Sequence, residues 1–226
     1  MILKTILLLL VISVFLLSVI DIISAHSFMA FYYIIWIGGV GSLVWKYRNE
    51  IEVKLNRWSL SPVYKFLILG FGMTLTEEAL AAFSIHLSSS LTLASYLHFV
   101  SQFWATNMLA LVGFVIGWWL LLSRFEYSRR EVFIISGIFG LYAEHILRFL
   151  SAFPTAGVLL ILPTIFTYGV IITPSLLSVR FSDKRKLPVV VRYILAPLAL
   201  FLMSIPFVVI LSFLMKSYPA YFYFAA

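Results

Sequence analysis

Apolar runs of roughly 20 residues recur along the whole chain, and that is the length an α-helix needs to cross the hydrocarbon of a bilayer. They fall at 5–24, 28–45, 63–86, 101–123, 131–150, 156–178 and 193–215. The sequence therefore predicts an all-α, polytopic bundle of seven transmembrane spans, a single integral membrane domain over 1–226 with no room for a soluble one. Composition agrees: of 226 residues, 63% are hydrophobic and 11% charged, with a mean hydropathy of +1.07. Soluble domains are about 45–50% apolar and about 25% charged.

The net charge of +7 is read as topology rather than as a sign of nucleic acid, because the basic residues collect between spans. With a cytoplasmic N-terminus, the inside segments hold Lys4, then Lys46, Arg48, Lys54 and Arg57, then Arg124, Arg129 and Arg130, then Arg180, Lys184, Arg185, Lys186 and Arg192. Lys65 sits at the inner edge of span three. The outside keeps Lys216, with Arg148 near the outer end of span five. This asymmetry predicts N-terminus inside and C-terminus outside in a cell membrane. The lipid bilayer is then the first partner, with other membrane subunits as candidates.

The first 25 residues have a positive start, an apolar stretch and a small residue at Ala25, so a cleaved signal peptide is the alternative to an uncleaved first span. Ile23 suits a cleavage site poorly, which favours the span. In 46–62, Ile51, Leu55 and Trp58 share one helical face opposite charges, as in a short helix lying in the inner interface; a solvated loop is the alternative. The chain has no cysteine, which excludes disulfides, thiolate metal sites and a cysteine nucleophile. Its amides are limited to Asn49, Asn56, Asn107 and Gln102, a scarcity found in thermophile proteins.

Spans three and five share a pattern. "GFGMTLTEEAL" and "GIFGLYAEHIL" each place Glu seven residues after Gly, with Leu three residues further on, and spans two, four and six end in basic–aromatic pairs. Three similar helical hairpins plus a seventh helix would explain this, and repeats in transporters frame the binding site. Chance is the alternative, since these residues are common in membrane chains.

The acids of those spans carry the functional signal. Glu77 lies about 21 Å along span three at 1.5 Å per residue, and Glu144 lies at a similar depth in span five. A charged carboxylate at mid-span costs on the order of 3 kcal/mol, and the adjacent Glu77 and Glu78 repel each other. Helical spacing puts Gly70, Thr74, Glu77, Ala81 and Ser84 on one stripe, and Gly137, Gly140, Glu144, Arg148 and Ser151 on another. Glu144 and Arg148, four apart, are placed to pair along the helix. On span four, Gln102, Thr106, Gly113 and Gly117 form a similar stripe with Asn107 beside it. His26, His86, His98, His145 and Asp21 also fall towards the outer side. The expected site is a polar vestibule in the outer half of spans one, three, four and five, with Glu77, Glu78, Glu144, His145, Arg148, Thr74, Gln102 and Asn107 as its members. The tyrosines and tryptophans near span ends read as interfacial anchors.

Four functions compete. Buried acids relay protons or cations across membranes, so transport or proton/cation translocation comes first. His98 and His145 are the best pair to ligate a haem, and Glu78, His98 and His145 are a candidate metal set; the sequence requires neither cofactor. A purely structural subunit of a membrane complex leaves the acids as interhelical hydrogen-bond partners. A retinal protein is excluded, because the last span has no lysine before Lys216.

The fourth is hydrolysis. A Glu-Glu pair in one helix, followed by later helices with Glu and His, resembles the intramembrane glutamyl proteases of the CAAX-protease and PrsW-type superfamily, whose chain length is similar. "TEEALAAF" corresponds to the Glu-Glu motif and "FGLYAEHILRF" to the later Glu-Asn-type helix. The resemblance implies that Glu77 and Glu78 activate water and Glu144 assists. The chain departs from the pattern at Ala81, Ala82 and Phe83, where a basic residue is expected. An extra span separates the two motifs, and no histidine follows His145. An inactive relative is the alternative within that superfamily.

Overall fold

In the computed structural model, residues 2–25, 28, 30–87, 92–178 and 184–222 are described. They form eleven α-helical segments: α1 (Ile2–Ile20), α2 (Phe31–Tyr33), α3 (Ser42–Lys46), α4 (Arg48–Asn56), α5 (Pro62–His86), α6 (Leu93–Arg124), α7 (Arg129–Ala143), α8 (Ile146–Ala152), α9 (Pro154–Leu177), α10 (Val189–Ser217) and α11 (Pro219–Phe222). Two π-helical stretches, Asp21–Ala25 and Ile34–Gly41, continue α1 and join α2 to α3.

Helix starts follow local chemistry. Pro62 and Pro154 occupy the first turns of α5 and α9, where a missing N–H costs nothing. Thr92 with Ser95, and Ser128 with Glu131, form reciprocal caps at the starts of α6 and α7, satisfying donors that the first turn leaves unpaired. Pro163 and Pro174 lie inside α9, and Pro197 and Pro206 inside α10, each helix remaining a single element.

Among the described residues, five helices are long and apolar enough to cross a membrane, and six if the bent pair of α7 and α8 is taken as one span. Two expected spans take a different form. The 28–45 run is helical over 31–46 but in three pieces, with a wide π turn through Gly38, Gly39 and Gly41. The 131–150 run breaks at Glu144 and His145, where α7 and α8 meet at 55°. The likeness expected between spans three and five therefore does not extend to shape, because α5 runs unbroken through Glu77 while α7 stops at Glu144.

α9 is the axis of the bundle. It packs against α1, α5, α7 and α8, while α6 lies between α5 and α10. Trp36, Phe66, Phe114, Trp118, Ile135 and Ile172 fill the core. Small residues bring the helices together, as is usual where apolar burial cannot discriminate protein from lipid. A Cβ on Gly113 would lie 2.4 Å from the backbone of Met203 and Ser204 on α10, and one on Gly140 would lie 2.4 Å from the Tyr168 ring on α9. Outside, α10 presents Val190, Ile194, Leu198, Leu202, Val209 and Phe213 to the surroundings, an apolar face suited to lipid tails.

The polar connections gather at one end. Arg129 pairs with Glu52 of α4 at 2.9 Å, Arg192 with Glu131 at 3.0 Å, and Lys186 with Glu126 at 3.7 Å. The expected short helix at 46–62 is α4, with Leu55 buried against the bundle. Asp21, expected in the outer vestibule, accepts the Ala30 N–H at 2.7 Å and so ties α1 to α2.

Candidate functional site

On α5, Thr74, Glu77 and Glu78 all turn inward. Thr74 is fully buried and donates to the Gly70 carbonyl at 3.1 Å. Glu77 is 7% exposed and Glu78 6%, although an unpaired charge there is costly. The polar neighbours account for their tolerance. Asn107 of α6 donates from Nδ2 to Glu78 Oε2 at 2.6 Å. Tyr32 and Glu78 lie close to the Glu77 carboxyl. Among the described residues no basic side chain forms an ion pair with Glu77 or Glu78.

Glu144 closes α7 at the break. The Tyr168 hydroxyl donates to its Oε1 at 2.6 Å, an approach that depends on Gly140, over which the ring lies. The next residue, His145, has φ 53°, the one positive φ outside glycine among the described residues. Left-handed backbone costs a non-glycine residue roughly 1–2 kcal/mol, and here it turns the chain by 55° without proline or glycine.

An open cavity of about 390 Å³ lies at this break, lined by Tyr33, Glu144, His145, Arg148, Phe149 and Leu160 among others. From it, a line of polar groups leads inward. Tyr33 and Thr164 both line the cavity, and Tyr33 lies against Tyr32, the ring centroids 4.3 Å apart. Tyr32 shares a 3.3 Å contact with Thr167 Oγ1, and its helix packs against α5, which carries Glu77. Tyr33, Tyr32, Glu77, Glu78 and Asn107 thus succeed one another inward from the cavity, with Glu144 and its partner Tyr168 at the cavity's edge.

Tyr32 and Tyr33, near the start of an expected span, were expected as interfacial anchors, and Tyr168 of mid-span six was not singled out. Tyr32 and Tyr168 are buried and Tyr33 partly so, with Trp36 Nε1 donating to the Thr167 carbonyl at 3.4 Å and α7 packed closely on α9. The site is accordingly built by α2, α5, α6, α9 and the α7–α8 break, with α2 and α9 in place of the first span.

Other expected members are elsewhere. Gln102 is buried, but its amide donates to the Tyr221 carbonyl at the α6–α11 contact. His98 packs edge-on to Tyr221, whereas Glu78 is held by Asn107 and His145 lines the cavity. Among the described residues no group of three His, Asp or Glu side chains is placed to hold a metal ion, so the Glu78–His98–His145 set is not assembled. His86 is buried, with a ring nitrogen 2.8 Å from Ser95 Oγ; His26 lies outside the described residues. Glu144 and Arg148 do not form the expected ion pair, because the bend intervenes where continuous helical spacing would have joined them.

Comparison with known proteins brings no match: no family model, curated protein or solved structure is similar to this chain.

Proposed function

We propose that this chain is an integral membrane protein that moves protons or cations by way of Glu77, Glu78 and Glu144. The observation that carries the reading is the row of hydroxyl and carboxyl groups between an open cavity and a buried acid pair that makes no ion pair among the described residues. Carboxyls placed so within a bilayer are the usual stations of proton and cation pathways. Each hydroxyl on the line can accept one proton and donate another. Seven crossings, with the second formed by the 31–46 segment and the fifth by α7 and α8, put the ion-paired basic end in the cytoplasm under the positive-inside rule. The cavity then opens towards the outer face of the cell membrane.

The test is reconstitution into liposomes holding a pH-sensitive dye. The wild-type protein collapses an imposed pH gradient, and Glu77→Gln, Glu78→Gln and Glu144→Gln each return the rate towards that of empty liposomes. Wild-type rates in the triple variant would end this reading.

Hydrolysis is the second reading, supported by the convergence of Glu77, Glu78 and Glu144 that the glutamyl-protease resemblance requires. Peptidase activity that disappears in Glu77→Ala, from a protein that moves no protons, would select it.

A further inference from the structure

We infer that the cavity at the α7–α8 break binds a zwitterion, its ammonium group on Glu144 and its phosphate or carboxylate on Arg148. The inference deepens the reading of this cavity as the mouth of the relay, and rests on it.

Glu144 and Arg148 line the same cavity, carry opposite charges and are four residues apart. An unbroken helix would let them neutralise each other. The chain instead holds them apart with a 55° bend and a left-handed His145, a conformation that itself costs free energy. Each is left with binding capacity. Glu144 Oε1 accepts the Tyr168 hydroxyl, and the carboxylate keeps further lone pairs for an ammonium donor. Arg148 makes no ion pair among the described residues, and its planar fork suits a phosphate or carboxylate.

Phe149 and Leu160 add apolar lining to the cavity that suits the carbon link of such a ligand. The volume of about 390 Å³ lies in the range of small-molecule sites. The same chemistry is offered by a free zwitterion in the outer medium and by a zwitterionic lipid headgroup.

The experiment uses the full chain in nanodiscs of phosphatidylglycerol, which lack an ammonium group, titrated with phosphoethanolamine, with ethanolamine alone and with inorganic phosphate alone. A parallel arm compares unfolding midpoints in phosphatidylethanolamine and phosphatidylglycerol nanodiscs. Saturable binding of phosphoethanolamine, at least about tenfold tighter than either half, identifies a free ligand. A higher midpoint in phosphatidylethanolamine, absent in Arg148→Gln, identifies a lipid headgroup.

In either case Arg148→Gln and Glu144→Gln each weaken the effect about tenfold or more, and Arg148→Lys restores part of it. Arg148 is exposed, so the fold tolerates these changes. The inference is overturned if neither arm responds, if phosphate alone binds as tightly as phosphoethanolamine, or if both charge-removing variants bind like wild type. Proton movement without zwitterion binding would remove the ligand and keep the relay, and binding without proton movement would do the reverse.

Discussion

Gly140→Ala tests how the site is assembled, because it adds one methyl group at the point where α7 meets the Tyr168 ring. The new Cβ would lie 2.4 Å from Tyr168 Cδ2 and 2.6 Å from Cγ. Ordinary carbon contact begins near 3.5 Å, so the ring must retreat by about 1 Å. That shift would stretch the 2.6 Å bond to Glu144 to about 3.6 Å, beyond hydrogen bonding. Overpacking of this kind costs about 1–3 kcal/mol, and a lost interhelical hydrogen bond in a membrane protein adds about 1 kcal/mol. Gly72→Ala is the control. Its Cβ meets nothing within 4 Å, so it gains up to about 1 kcal/mol of helix propensity. The assay is the unfolding midpoint in one fixed detergent, with the two variants expected to move in opposite directions. Tyr168→Phe on its own should lower stability by about 1 kcal/mol, yet add almost nothing to Gly140→Ala, since the bond is already broken. Strict additivity of Gly140→Ala and Tyr168→Phe, or a neutral Gly140→Ala, would refute the reasoning.

Other perturbations have equally definite outcomes. Gly113→Ala places a methyl against immobile α10 backbone and should cost about 3 kcal/mol, read as a fall in unfolding midpoint. His145→Gly removes the strain of a left-handed residue and should stabilise the fold by about 1 kcal/mol, read in the same assay. Asn107→Leu leaves Glu78 without its amide donor, costing about 1–3 kcal/mol and slowing proton movement in liposomes. At the basic end, burial pushes the Tyr127 hydroxyl from its ordinary 10.0 up to about 12, with Arg192 opposing and Glu131 adding to the rise. The folded state therefore favours the neutral phenol, a contribution that is complete below pH 10 and lost as pH climbs through 12. Denaturant titrations across that interval should show a shallower decline in Tyr127→Phe than in wild type.

Much of this arrangement is legible in the residues. Hydropathy marks the long helices because each must match the bilayer, and helical spacing places Thr74 and Glu77 on one buried face of α5. Asn107 could be found as an amide within an apolar span. The bend at Glu144 and His145 could not, since neither proline nor glycine marks it. With the bend hidden, Glu144 and Arg148 read as an ion pair along one helix. Tyr32 and Tyr33 were hidden for another reason. A tyrosine near a span end suits the interface as well as the interior, and only the packing of α2 on α5 and the contact of Tyr32 with Thr167 decide between them. Gln102 shows the opposite error: its stripe on α6 is buried, but against Tyr221 rather than the acids. Periodicity identifies the face of a helix, not the neighbour that covers it.

The central claim is a buried acid pair behind an open mouth, and thiol labelling tests it most directly, because the chain has no cysteine of its own. A water-soluble maleimide should modify Glu144→Cys rapidly in the folded protein and leave Glu77→Cys untouched until denaturant is added. Rapid labelling at position 77, or protection at position 144, would contradict the account.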